Sequence, residues 1–127
     1  MALLLQSIFK ETDDFLTALN IVIDYLKEEL IQSGFIKGCP VATVALEAAP
    51  HYEKMQVVCN DVYRQWVNII TKSLVKTGIA LKEAEKRAVF LLSAIEGAMI
   101  LCKSSQSITP LEHVRELSAL LIQNSKT

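Results

Sequence analysis

Cys39 is the residue whose type and position could most directly carry chemistry. It precedes Pro40 in the segment 38–49, which reads Gly-Cys-Pro-Val-Ala-Thr-Val-Ala-Leu-Glu-Ala-Ala. Proline is favourable at the first position of a helix, because the N–H group that it lacks has no partner there. A thiol at a helix N-terminus can have its pKa lowered by the helix dipole. One hypothesis is therefore a thiol-based redox sensor that uses Cys39.

The other reactive side chains form no catalytic or metal-binding pattern. Cys59 follows Cys39 by 20 residues and Cys102 follows Cys59 by 43, unlike the paired cysteines of zinc or redox motifs. His51 and His113 stand far apart, with no carboxylate or thiol at a diagnostic spacing. The sequence also lacks a glycine-rich phosphate loop, a nucleophile elbow and a His-Glu-x-x-His motif. We therefore predict no enzyme activity, no metal, no cofactor and reduced thiols.

The length of the chain favours a single domain over residues 1–127. The net charge of -1, from 13 basic and 14 acidic residues, provides no positive field for DNA phosphates. The first residues lack the cationic start of a secretory signal. The most apolar stretch, 88–102, has 15 residues and includes Glu96, which makes it too short and too polar for a membrane span. We expect a cytoplasmic chain that binds neither DNA nor membranes by itself.

Helical patterns run along nearly the whole chain, because apolar residues recur at spacings of three and four. Gly34 and Gly78 are predicted to end two helices in the left-handed conformation. The run Thr109 to Glu112 predicts a capping box at the start of the last helix. The predicted fold is all-α, with six helices at about 2–10, 12–33, 40–50, 51–77, 81–103 and 109–124.

Two further runs, Glu-Gly-Ala-Met-Ile-Leu at 96–101 and Thr-Pro-Leu-Glu-His-Val at 109–114, follow the 38–49 segment in order. Together the three runs resemble the C-terminal domain of TetR-type transcriptional regulators, in particular the LmrA-like subgroup. The resemblance implies a domain that binds a small effector and dimerises through a four-helix bundle. It also implies that effector binding releases operator DNA from an N-terminal helix-turn-helix domain, which we expect to be absent from this chain because nothing before residue 38 resembles one.

Two helical faces are candidates for a pocket that takes a small apolar or aromatic effector. Methionine beside aromatic rings is a common lining for apolar ligands, although an ordinary core has the same appearance. The predicted ligand-binding residues are Phe15, Leu19, Val22, Met55, Cys59, Val62 and Trp66. Asn60, Gln65, Asn68 and Ser93 are polar groups that could orient a ligand or face water.

The last two helices are the candidate dimer surface. Small residues three and four apart on the long apolar helix permit the close approach of a partner helix, and a two-fold dimer makes that contact isologous. The predicted interface residues are Ala94, Gly97, Ala98, Leu101, Leu111, Val114, Leu117 and Leu121. The alternatives are that this helix is the core of a monomeric bundle, or that the chain is a stand-alone helical interaction module.

Overall fold

The computed structural model describes residues 2–123, and within that range every regular element is an α-helix. The elements are α1 (Ala2–Glu11), α2 (Phe15–Gln32), α3 (Pro40–Glu47), α4 (Glu53–Lys76), α5 (Leu81–Ser105) and α6 (Thr109–Gln123). The predicted all-α fold with six helices is therefore confirmed. The main difference is that α3 ends at Glu47, three residues before Pro50.

The long helices α4 and α5 pack against each other and form the centre of the bundle. Helix α1 packs on α2 and α4, the short helix α3 packs on α4, and α6 packs on both α5 and α2. Side chains from these helices meet in one continuous apolar core. The largest fully buried side chains in it are Phe15, Ile23, Leu30, Leu74, Cys102, Leu111 and Ile122.

Both predicted glycine helix ends are confirmed. Gly34 has a φ of +65°, and its N–H donates to the carbonyl oxygen of Ile31 at 3.1 Å. The N–H of Phe35 donates to the carbonyl oxygen of Leu30 at 2.7 Å, which completes a Schellman motif. Gly78 has a φ of +104° at the end of α4. In each case glycine is suited to a conformation that a Cβ atom disfavours.

The predicted capping box at the start of α6 is wrong. Thr109 is already the first residue of the helix, and its N–H donates to the hydroxyl oxygen of Ser107 at 3.1 Å. Glu112 does not reach back toward Thr109, because its carboxylate pairs with Lys27 of α2 and with Arg115. Glu112 therefore forms an ion pair with α2 instead of a capping hydrogen bond within α6.

Charged side chains tie α6 to α2. Arg115 pairs with Asp24 and donates to the amide oxygen of Asn20 at 3.1 Å, beside the pair between Lys27 and Glu112. The hydrogen bond from Lys27 lowers the pKa of the Glu112 carboxyl, and the positive charge of Arg115 lowers it further. This network fixes the inner face of α6 against α2 and leaves its other face available.

Candidate functional site

A small apolar cavity lies between α1, α2, α4 and α5. Its volume is about 40 Å³, which is room for little more than a water molecule or two and far below the several hundred Å³ of a site for a drug-sized ligand. The lining residues are Leu5, Phe9, Phe15, Leu19, Val22, Leu26, Trp66, Ile70, Leu91, Leu92, Ile95 and Glu96. The interior of the domain is therefore almost closed in this conformation.

Four of the seven residues predicted to bind a ligand line this cavity, namely Phe15, Leu19, Val22 and Trp66. The other three do not line it. Cys59 is buried beneath α3, with its sulfur 3.9 Å from the carbonyl oxygen of Val41, and Val62 is partly buried against the core. Met55 is 46% exposed, in the first part of α4, residues 53–58, which is exposed throughout.

Sequence reasoning missed two sources of cavity residues. Helix α1 supplies Leu5 and Phe9, and α5 supplies four residues that include Glu96. The rings of Phe9 and Phe15 pack with their centroids 5.7 Å apart. A signal for the α5 contribution was available, since Glu96 is an isolated charged residue in an apolar helix. The polar candidates Asn60, Gln65, Asn68 and Ser93 are all exposed.

Glu96 is the centre of a small polar group at the edge of the cavity. The hydroxyl of Tyr63 donates to Oε2 of Glu96 at 3.1 Å. Burial raises the pKa of Glu96, although the Tyr63 hydroxyl and the nearby Cys39 thiol lower it. The pKa of Tyr63 is also raised, first by burial and then by the charge of Glu96, so its hydroxyl stays a donor.

Trp66 lines the cavity and is almost fully buried. Its side chain is 3% exposed, and its ring meets that of Tyr63 edge to face with centroids 5.4 Å apart. Within the described residues, the indole Nε1–H has no hydrogen-bond acceptor. A buried donor without an acceptor is unfavourable by about 1 to 3 kcal/mol.

The environment of Cys39 does not favour the redox hypothesis. The residue is the N-cap of α3 and is 6% exposed, and all three cysteines are buried free thiols. Burial raises the pKa of Cys39, and the negative charge of Glu96 raises it further. These effects outweigh the helix dipole, so Cys39 is held as a thiol rather than as a reactive thiolate.

An open apolar groove runs along α5 and α6 on the outside of the bundle. Its volume is about 830 Å³, and it is lined by Ala94, Gly97, Ala98, Ile100, Leu101, Ser105, Ser107, Thr109, Pro110, His113 and Val114. A Cβ atom added at Gly97 would meet no atom of this chain within 4 Å. The groove is therefore wide enough at its centre to accept side chains from another molecule.

The predicted interface residues fall into three groups. Ala94, Gly97, Ala98, Leu101 and Val114 line the groove, although Ala98 is only 4% exposed. Leu117 and Leu121 are exposed on α6 but do not line the groove, with Leu117 at 61%. Leu111 is 0% exposed because its side chain faces the core of its own chain, so it is not available to a partner in this conformation.

By length and composition alone, α5 is the one helix within residues 2–123 that could cross a membrane. The core helix of a soluble protein can pass the same test, and Glu96 near the middle of α5 is unfavourable in lipid. Only 33% of the most apolar window of α5 is buried within the chain. Apolar side chains of this helix, among them Phe90, Ile100 and Leu101, therefore remain exposed.

A comparison with known protein families assigns most of the chain to one family. Residues 16–117 match the family described as "Transcriptional regulator LmrA/YxaF-like, C-terminal domain". The chain belongs to this family. The resemblance noted for the three sequence runs is therefore confirmed, and membership assigns the chain to the C-terminal domains of transcriptional regulators.

Two relatives from this comparison carry similar names. The chain is 28% identical over 120 residues to "Uncharacterized HTH-type transcriptional regulator YxaF" of Bacillus subtilis, covering 94% of this chain. It is 28% identical over 122 residues to "Uncharacterized HTH-type transcriptional regulator Rv0196" of Mycobacterium tuberculosis, covering 91% of this chain. In both cases the match spans 63% of the relative's length.

Proposed function

We propose that this LmrA/YxaF-like chain is the effector-binding and dimerisation domain of a TetR-type transcriptional repressor that acts in the cytoplasm. The observation that supports the proposal is the separation of two apolar features, a cavity inside the bundle and an open groove on α5 and α6. A closed apolar cavity suits a small apolar or aromatic effector, whereas a long apolar groove suits a protein surface.

The occupant that we propose for the groove is a second copy of the chain. In an isologous dimer, α5 and α6 of each subunit would form a four-helix bundle about the two-fold axis. The small residues Ala94 and Gly97 allow the facing helices to approach closely. Exposed Leu101, Leu117 and Leu121 would then be buried by the same residues of the partner.

The proposed mechanism is a shift between two conformations of the domain. We expect a helix-turn-helix domain to precede α1 in the full-length regulator, since both relatives are named HTH-type regulators. Leu5 and Phe9 bring α1 into the cavity wall, so a ligand that enlarges the cavity would move α1. That movement would change the spacing of two DNA-reading heads, which must lie roughly 34 to 36 Å apart on DNA.

The energetics of such a switch are modest. A ligand shifts the equilibrium only by the difference in its affinity for the two conformations. Coupling free energies between sites are typically about 1 to 3 kcal/mol, which corresponds to a several-fold to hundred-fold change in operator affinity. The DNA contact itself belongs to the helix-turn-helix domain, in keeping with the net charge of -1 of this chain.

A thermal-shift screen of apolar and aromatic compounds on the purified chain tests this proposal. A compound that binds the folded chain raises the melting temperature, because it stabilises only that state. Val22→Leu, which adds a methylene to the cavity wall, should reduce the shift. Val75→Leu makes the same change at an exposed position and should leave the shift intact. A flat response across the screen would indicate an ordinary core.

A further inference from the structure

A second groove, lined by basic residues, lies between α1 and α4. Its volume is about 440 Å³, within the range of roughly 300 to 1,000 Å³ that is usual for small-molecule sites. Both polar and apolar atoms face this space, and it is distinct from the inner cavity, with which it shares Phe9. The lining residues are Gln6, Ser7, Phe9, Lys10, Ile69, Lys72, Ser73 and Lys76.

This α1–α4 groove gathers positive charge. Lys10 comes from α1, whereas Lys72 and Lys76 stand about one turn apart on α4. Within residues 2–123, no acidic residue lines the groove, and none of the ion pairs includes these three lysines. Like charges four residues apart on a helix repel each other. An anion bound in the groove would relieve that repulsion.

Ser73 adds a neutral donor to the same wall. Its side chain is only 5% exposed, and no hydrogen bond found within residues 2–123 involves its hydroxyl. The Ser73 hydroxyl nevertheless still reaches solvent, unlike that of Thr71, which is fully enclosed without a partner. Because Ser73 lines the groove, its hydroxyl is available to donate to an acceptor bound there.

The number of cations favours a ligand with more than one negative charge. A carboxylate carries one charge, whereas a phosphate monoester carries about −1.5 to −2 at pH 7 and has three acceptor oxygens. Lysine binds phosphate as a point charge, without a fixed geometry. Phe9 and Ile69 supply apolar surface on which an organic group of the ligand can pack.

We infer that the α1–α4 groove binds a small phosphate monoester with an aromatic or aliphatic body. The phosphate lies among the ammonium groups of Lys10, Lys72 and Lys76. The Ser73 hydroxyl donates to one phosphate oxygen, and the organic body packs on Phe9. Because one lysine belongs to α1 and two belong to α4, the ligand bridges these helices. The site goes beyond the proposed function and does not depend on an effector in the inner cavity.

Three probes on the purified chain test the inference, namely phenyl phosphate, phenyl sulfate and inorganic phosphate. Phenyl sulfate has nearly the same shape but one negative charge, so phenyl phosphate should bind about fivefold more tightly by isothermal titration at low salt. Inorganic phosphate lacks the phenyl ring and should bind more weakly than phenyl phosphate. The affinity for phenyl phosphate should rise from about pH 5 to about pH 7, because the second pKa of a phosphate monoester is about 6.

Variants locate the binding site. Lys72→Met combined with Lys76→Met should weaken phenyl phosphate binding about tenfold or more. Lys54→Met makes the same change at an exposed lysine of α4 that does not line the groove, and it should bind like the unchanged protein. Ser73→Ala should weaken binding about threefold without lowering the urea-unfolding midpoint, because it removes a hydroxyl that has no partner within residues 2–123. Circular dichroism checks that each variant is folded.

Three outcomes would overturn the inference. Equal affinities for phenyl phosphate and phenyl sulfate would show that the second charge is not recognised. Unchanged binding in the Lys72→Met, Lys76→Met variant would place the phosphate elsewhere on the chain. Absence of phenyl phosphate binding would reject the site, and sedimentation with vesicles that contain phosphatidic acid would then assign the lysines to a membrane surface. The thermal-shift screen of the inner cavity is decided separately from all three.

Discussion

The hydroxyl of Tyr63 in α4 donates a hydrogen bond to the carboxyl of Glu96 in α5 across 3.1 Å. The bond stands at the edge of a cavity whose other lining residues are apolar or aromatic. It therefore fixes the orientation of the Glu96 carboxyl. The same two helices form the centre of the bundle, so this polar contact links the proposed ligand site to the main packing interface.

Glu96 should make the stability of the domain depend on pH. Because its pKa is raised, the folded chain keeps a proton at Glu96 that the unfolded chain has already released. The free energy of unfolding should therefore fall as pH rises from the ordinary carboxyl value through the raised one. Glu96→Gln removes this titration and should flatten the profile, measured by urea unfolding from about pH 4 to about pH 8. If the unfolding free energies of the unchanged chain and of Glu96→Gln varied with pH in parallel, the raised pKa would not belong to Glu96.

Tyr63→Phe should extend the pH dependence of stability, whereas Glu96→Gln should flatten it. Removal of the hydroxyl takes away a hydrogen bond that favours the charged form of Glu96, so its pKa should rise further. The fall in stability should then extend to higher pH, as followed by the same urea titration. Tyr52→Phe removes a hydroxyl from an exposed tyrosine and should leave the profile unchanged.

Gly97→Leu should separate the dimer without harming the subunit. The position is open within the chain, and leucine favours the helix by up to about 1 kcal/mol relative to glycine. A partner helix at this position would be pushed away by the new side chain. Light scattering should report a monomer or an aggregate, with circular dichroism still showing a helical fold. A fully dimeric variant of unchanged stability would argue against an interface at Gly97.

Leu111 and Leu117 should respond differently to the same substitution. Leu111→Ala removes a fully buried side chain and should cost about 2 to 5 kcal/mol in unfolding free energy. Leu117→Ala removes a largely exposed one and should instead raise the dimer dissociation constant about tenfold. Urea unfolding and sedimentation measure the two effects. If Leu117→Ala left self-association untouched, this face of α6 would not contact a partner.

The pair between Lys27 and Glu112 should contribute measurably to the docking of α6 on α2. Lys27→Met should cost up to about 1 kcal/mol, and less at high salt. The lowered pKa of Glu112 means that this contribution is present above the ordinary carboxyl value and is lost as pH falls through the lowered one. Lys37→Met breaks a more exposed pair with Glu29 and should cost no more than a few tenths of a kcal/mol. Equal losses of unfolding free energy in Lys27→Met and Lys37→Met would contradict this prediction.

Much of the fold could be predicted because local rules agree with the final packing. Gly34 and Gly78 mark helix ends through a requirement of the backbone alone, and Pro40 marks a helix start in the same way. The capping box at Thr109 failed because a tertiary ion pair between Glu112 and Lys27 was stronger than the local alternative. The sequence of α6 alone does not show which charged side chains of α2 will pair with it.

The candidate site was predicted only in part, for a similar reason. Helical spacing places Met55, Cys59, Val62 and Trp66 on one face of α4, but spacing does not tell which turns of that face another helix covers. Trp66 lines the cavity shared with α1, α2 and α5, Cys59 is covered by α3, and Met55 is left exposed. The role of Glu96 depends on Tyr63 and Cys39, which are 33 and 57 residues away in sequence.

A crystal structure of the chain with a compound from the thermal-shift screen would test the central claim most directly. The account predicts density for the compound between Phe15 and Trp66, in a cavity enlarged well beyond 40 Å³. Density for the compound outside this space, with the cavity still closed around Leu19 and Ile95, would contradict it.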